Sequence, residues 1–233
     1  MSIFAISDLH LSFGTDKPMD VFGEKWDNYT DRIKENWIKK VNMDDVVIIP
    51  GDISWAMYID EAVEDFKFIN SLPGTKLILK GNHDYWWTTH AKMEKFLREN
   101  GFDTIKILGN EAYLYEGVAI CGTRGWSLIN ENSSEEDKKI FSREKIRMVL
   151  SLEDARRKSD KILFAMHYPP VEKENPNREF LEILNEYGVK DCIYGHLHAH
   201  SQANAVTGEV DGINLKLISC DYINFDPVSL QIL

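Results

Sequence analysis

Apolar positions along this chain follow two rhythms. Short runs, rich in β-branched residues, occupy residues 3–6, 46–49, 76–79, 162–166 and 192–194. An apolar run without polar alternation suits a strand covered on both faces, as in a parallel sheet. Between the runs the spacing becomes helical. Ile33, Trp37 and Val41 recur every fourth residue among charges, which is one face of a helix against a sheet. Ala62, Val63, Phe66 and Ile69 repeat the signal after Asp60, a helix-capping residue type. Met93, Phe96 and Leu97 predict a third helix ending near Asn100-Gly101, and Phe180, Leu181, Leu184 and Tyr187 a fourth ending at Gly188. This alternation is that of βαβ units, so the expected class is α/β. Residues 105–121 break the rhythm. Short apolar runs separated by Gly109-Asn110 and Glu116-Gly117 read as strands joined by turns, with some antiparallel pairing. Two sheets stacked face to face with helices outside would accommodate roughly nine to eleven short strands.

Composition narrows the setting. With 43% apolar residues in 233, the chain can bury a large core, and one domain spanning 1–233 is expected. A formal net charge of −11 disfavours nucleic acid and anionic membranes as partners, although a metal pair can make one pocket locally positive. Cys121, Cys192 and Cys220 form no CxxC pair, which suits a reducing compartment. With no signal-peptide pattern after Met1 and no membrane-length apolar stretch, a soluble cytoplasmic protein is expected. The polar, acidic segment 130–139 contains a possible capping box, Ser133 with Glu136, for a helix continuing toward Leu152. It is read as a solvated helix start, with a lid over a pocket as the sharper alternative.

Candidate chemistry sits where the apolar runs stop. Asp8-Leu9-His10, Gly51-Asp52, Gly81-Asn82-His83-Asp84, His167 and Gly195-His196-Leu197-His198 each follow a predicted strand. In open α/β sheets ligands bind beyond the carboxyl ends of the strands, so these blocks can meet in one pocket. On an extended backbone Asp8 and His10 would leave the same face and grip one ion together, as would His196 and His198. A carboxylate at Asp52, after a glycine where the chain can turn, can bridge two ions about 3.5–4 Å apart. Asn82 adds a carbonyl oxygen and His167 a ring nitrogen. The mixed oxygen and nitrogen set suits Mn, Fe or Zn, and the missing thiolates exclude a four-cysteine zinc site. Any one block reads equally well as a turn, cap or satisfied polar residue. Five together are hard to assign to chance when only two other histidines exist in the chain.

The ordered set D-x-H, GD, GNHD, H and GHLH resembles the calcineurin-like metallophosphoesterase superfamily, from Asp8 to His198. The resemblance implies a four-layer α/β/β/α sandwich of two stacked mixed sheets. It also implies a dinuclear metal centre: Asp8, His10 and His198 on one ion, Asn82, His167 and His196 on the other, and Asp52 between them. His83 would act on the substrate without ligating metal, oriented by Asp84. The implied reaction is hydrolysis of a small organic phosphate ester, a diester more readily than a monoester, by a metal-bridging hydroxide. Two cations lower the pKa of water and neutralise phosphoryl charge, and a histidine can protonate the leaving alkoxide.

Departures from relatives restrict the substrate. Gly51-Asp52-Ile53-Ser54-Trp55 followed by GNHD does not match the Ser/Thr protein phosphatase pattern GDxVDRG and GNHE. Hydrolases of nucleotide-linked acyl sugars usually carry Arg where this chain has His83. Residues 17–23, GDISWAM and CGTRGW resemble a group of bacterial predicted phosphohydrolases. Trp55, Trp86, Trp87 and Trp126 lie just past strand or motif ends, where some could form an aromatic wall for substrate; core packing is the competing reading. Arg124, in a glycine-flanked turn, could clamp a phosphate or form an ordinary salt bridge. His200 continues the alternation of His196 and His198 but lies past the matching motif, with substrate contact the lesser reading; His90 reads as helix surface, and nothing distinguishes Tyr168 or Asp221 from packing or turn residues. Two alternative functions remain, a nuclease and a non-catalytic scaffold retaining the fold. Acidic charge argues against the first. The complete motif set argues against the second. A mononuclear amidohydrolase fits the bridging Asp52 less well.

Overall fold

The computed structural model describes residues 1–232. In the first sheet β1 (Ile3–Ala5), β2 (Val46–Pro50), β3 (Thr75–Leu79) and β4 (Ile105–Ile107) run parallel, and the last strand, β11 (Val228–Leu230), pairs antiparallel with β1. The second sheet has the order β5 (Tyr113–Tyr115), β6 (Val118–Thr123), β7 (Lys161–Met166), β8 (Asp191–Tyr194), β10 (Ile213–Leu217), β9 (Gly208–Val210). Its outer strands β5 and β9 are antiparallel to their neighbours. Helices α1 (Tyr29–Lys40), α2 (Val63–Ser71) and α3 (His90–Glu99) cover the first sheet; α4 (Glu135–Lys158) and α5 (Glu179–Glu186) cover the second.

Period-two alternation explains why the strand runs are apolar throughout. Ala5, Ile48, Leu77, Ile120, Leu163, Ala165 and Ile193 point into the layer between the sheets. Their neighbours point outward: Phe4, Val47 and Ile78 meet Trp37 and Phe66, while Phe164, Cys192 and Tyr194 meet Phe141, Leu152 and Phe180. Both faces of both sheets are therefore buried, as the four-layer α/β/β/α arrangement requires.

Local details depart from expectation at three places. Asp60 is not a cap. It lies inside a 3-10 turn, Ile59–Ala62, that leads into α2, and Glu61 accepts from the amides of Met57 and Tyr58 instead. The capping residue of α4 is Ser134, whose hydroxyl accepts from Asp137 N at 3.1 Å, not Ser133, and α4 runs past Leu152 to Lys158. Residues 130–134 thus lead into that helix and 135–139 are its first turn, fastened where Trp126 Nε1 donates to Asp137. Glu116 and Gly117, both at positive φ, make the β5–β6 hairpin turn. Gly109-Asn110 makes no hairpin, because β4 and β5 belong to different sheets. All three cysteines are free and buried. Among the described residues no helix is long and apolar enough to cross a membrane.

Candidate metal centre

The five motif segments leave β1, β2, β3, β7 and β8 at their carboxyl ends and are stitched together by backbone hydrogen bonds. Asp8 N donates to Gly51 O at 3.0 Å, His10 N to Asp52 O at 2.9 Å and Gly195 N to His167 O at 3.1 Å. The backbone is not extended there. Asp8, His10, Asp52 and His196 take left-handed conformations with φ of 61°, 46°, 50° and 73°. The expectation that D-x-H and H-x-H project donors from an extended strand is therefore incorrect; sharp turns aim them instead. Such conformations cost on the order of 1–3 kcal/mol each and persist where surrounding contacts over-determine them. Two motif glycines show how tight those contacts are. A Cβ on Gly81 would stand 2.1 Å from Asp52 Oδ1, and one on Gly195 would stand 2.4 Å from Asp8 Oδ2.

All seven donors named from the sequence converge. His10 Nε2 lies 3.3 Å from His198 Nε2, which is 3.4 Å from Asp8 Oδ1. Asn82 Oδ1 stands 2.7 Å from His167 Nε2 and 2.8 Å from His196 Nδ1. Asp52 lies between the two groups, its Oδ2 3.8 Å from His10 Nε2 and 3.5 Å from His167 Nε2. Its other oxygen accepts from the His83 amide at 2.8 Å, which holds Oδ2 in that position. Asp8, His10 and His198 could hold one cation, and Asp8, Asp52 and His167 also lie within a single coordination radius.

The electrostatics of this cluster fit positively charged ions. Burial alone would raise Asp8, but the facing His198, His167 and His10 rings outweigh it and hold its carboxyl far below the usual range. Burial and the Asp8 charge push Asp52 up to about 8. His198 is desolvated too, yet Asp8 and Asp221 outweigh this and raise it to about 10. Burial, reinforced by His167, pushes His196 down to about 3, and burial also lowers His167 and His10. His167 Nδ1 donates to Pro50 O at 3.0 Å, so in the neutral ring the Nε2 lone pair faces the Asn82 oxygen. His10 Nδ1 is buried with no partner. Crowded lone pairs of this kind are what a metal cation satisfies.

The surrounding candidates divide. His83 is half-buried beside the cluster, its ring 5.7 Å from His10 and 4.7 Å from Trp55, and burial and His167 lower its pKa. Trp55 also stacks on His10 at 4.8 Å. Asp84 does not orient His83. Its fully buried carboxylate accepts from the amides of Gly81, Asp52, Ile53 and Ser54, so it ties the GNHD loop to the GD loop. Trp86 is a core residue rather than a substrate contact: it packs against Phe66 and donates to Ser54 O. Trp126 packs beside Tyr168, with the Arg124 guanidinium 4.5 Å over its ring. His90 and His200 are exposed.

Asp221 was the missed participant. It accepts from His198 Nδ1 at 2.8 Å and from Gln202 Nε2 at 2.7 Å. A weaker signal existed, since Asp221 follows the strand-like alternation of residues 213–218 by three positions.

A sequence model of the calcineurin-like phosphoesterase family matches residues 1–200. The chain belongs to this family. It is accordingly a hydrolase acting on phosphoester bonds, in a metal-dependent family that uses a dinuclear metal centre. Solved structures share the calcineurin-like fold at low identity. A phosphopantetheinyl hydrolase from Mycobacterium tuberculosis is 13% identical with a TM-score of 0.61, covering 98% of this chain and 95% of that one. A Thermus thermophilus protein is 12% identical at 0.56, covering 98% and 97%. A protein of unknown function from Aquifex aeolicus is 17% identical at 0.53, covering 98% and 95%. No match to this sequence is found among curated proteins.

Proposed function

We propose that this phosphoesterase works with two metal ions, Asp8, His10 and His198 holding one, Asn82, His167 and His196 the other, and Asp52 Oδ2 shared. The observation that carries this reading is the position of Asp52 Oδ2, within 3.8 Å of His10 Nε2 and 3.5 Å of His167 Nε2 while its sister oxygen is held by the His83 amide. Two transition-metal ions bound there, Mn, Fe or Zn by the donor set, would lower the pKa of water and neutralise phosphoryl charge.

The chain's own residues supply the rest. His83 is half-buried beside the cluster, packed by Trp55, and is assigned protonation of the leaving alkoxide. Asp84 acts through the backbone. By joining four amides of two loops it fixes Asp52 relative to Asn82 and His83. The substrate class is a small organic phosphate ester, with a diester favoured over a monoester by family likeness; one structural neighbour is named a phosphopantetheinyl hydrolase. A net charge of −11 weighs against a nucleic-acid substrate.

Metal analysis of the purified protein, combined with turnover of chromogenic phosphate mono- and diesters with and without added Mn, tests the reading. Two ions per chain and diester turnover are expected. No metal and no turnover after reconstitution would favour a scaffold, and faster cleavage of single-stranded nucleic acid than of small diesters would favour a nuclease.

A further inference from the structure

Beside the metal centre lies a cavity of about 730 Å³ that the proposed chemistry leaves unused. It opens between the ends of β3 and β4 in one sheet and the end of β6 in the other, with α4 behind. Leu79, Ile107, Leu108 and Trp87 give it apolar surface. Lys80, Arg124 and Arg147 give it three cations. It adjoins the metal centre through the chain itself: Lys80 immediately precedes the GNHD loop, and the Arg124 carbonyl accepts from His167 N at 3.1 Å.

The carboxylates at hand do not balance these cations. Glu144 is fully buried, and it accepts from Thr123 Oγ1 at 2.5 Å, from Gly125 N at 3.1 Å and from Arg147 in a close ion pair. Arg124 comes no nearer to Glu144 than 4.0 Å, and its Nε is buried without a partner. Lys80 has no ion pair among the described residues, and Glu111, the other acid lining the cavity, is exposed. Elsewhere half-buried cations are satisfied, Lys145 by Glu179 and Lys158 by Asp154, Arg178 by the carbonyls of Asn175 and Asn177. Acids outnumber bases 38 to 27, so a lysine without an ion pair and an arginine whose carboxylate stands 4.0 Å away are not explained by a shortage of acids.

We propose that Lys80 and Arg124 form a second anion subsite in this cavity, and that the substrate is an organic phosphate ester carrying a second phosphate, seated there while its scissile phosphate meets the metals. A planar guanidinium fork and a mobile ammonium on different elements match a dianion with three oxygens better than a two-oxygen carboxylate. The apolar surface would receive the carbon skeleton joining the two phosphates. This subsite deepens the two-metal reading and rests on it for the position of the scissile group.

Calorimetric titration of the metal-loaded protein tests it, comparing alkylphosphonates with α,ω-bisphosphonates of the same chain, from propane to hexane. At the best length the bisphosphonate is expected to bind at least about ten-fold more tightly, the worth of one charge-assisted hydrogen bond. Lys80→Gln and Arg124→Gln should each reduce that advantage to about two-fold or less, and a ratio cancels any general change in phosphonate affinity for the metals. Should Arg124→Gln fold poorly, Lys80→Gln reads the same ratio. No advantage at any length in the unaltered protein overturns the proposal, as does an advantage that survives both substitutions, which the metals alone would then explain. Because heat is measured, the result stands whether or not bis(p-nitrophenyl) phosphate is hydrolysed; a failure of that hydrolysis counts against the proposed function alone.

Discussion

His198 donates from Nδ1 to the Asp221 carboxylate at 2.8 Å, which turns its other nitrogen toward Asp8 and His10. A carboxylate behind a metal-binding histidine fixes the ring and raises its basicity. Asp221→Asn should therefore weaken metal binding by about 10–100-fold while the fold persists. Competition with a chelator of known affinity measures this, and unchanged metal affinity would remove Asp221 from the site.

Asp52 Oδ2 lies between the two donor groups, facing His10 on one side and His167 on the other. Asp52→Asn keeps the shape and the contact with the His83 amide but removes the charge. Diester turnover should fall at least about 100-fold, since charge neutralisation by the ion pair is worth several kcal/mol. Metal content measured on the same sample should drop below two per chain. Full occupancy with normal turnover would show that the carboxylate is not shared.

His83 stands beside the cluster without joining its contacts to Asp8 or Asp52 through the ring. His83→Ala should lower turnover by about 10²–10⁴-fold, the usual worth of a positioned proton donor, and leave metal content nearly intact. The loss should be smaller for a substrate whose leaving group is already acidic. Release of both metals in this variant would refute the assigned role.

Asp65 is buried away from the metal centre, where it accepts from Phe13 N at 2.7 Å and from the Ser54 hydroxyl. Burial pushes its carboxyl up to about 6 from 3.8. The folded protein therefore binds this proton more tightly than the unfolded chain does. The resulting stabilisation is full below pH 3.8 and is lost as pH rises through 6. Denaturant unfolding of the unaltered protein and of Asp65→Asn should show a stability difference that shifts against the unaltered protein between pH 4 and 7, by on the order of 2–3 kcal/mol. A difference that stays flat over this interval would contradict the assignment.

The fold was legible because its signals are local. Ile33 and Trp37 mark one helix face by spacing alone, and doubly buried strands such as residues 46–49 need no partner in view to be recognised. The donors were legible because each stands where an apolar run stops. The errors share a different origin. Trp86 follows its motif as closely as Trp55 does, yet one fills the core against Phe66 and the other stacks on His10. Asp84 adjoins His83 in sequence, but its carboxylate finds amides 30 to 32 residues away. Which side a side chain faces at a tight turn depends on what arrives from elsewhere in the chain.

Sequence by itself determined the class of fold and the order of its elements, and singled out the seven candidate donors that the structure brings together, since apolar period and residue chemistry are properties of short segments. Tertiary structure alone decided that Asp8, His10, Asp52 and His196 adopt left-handed turns, that Asp221 lies behind His198, and that Lys80 and Arg124 face one cavity. The physical reason is that strained backbone and buried charge are tolerated only where distant segments compensate them. A side chain on Gly195 would collide with Asp8, and His10 meets His198 across 188 residues of chain.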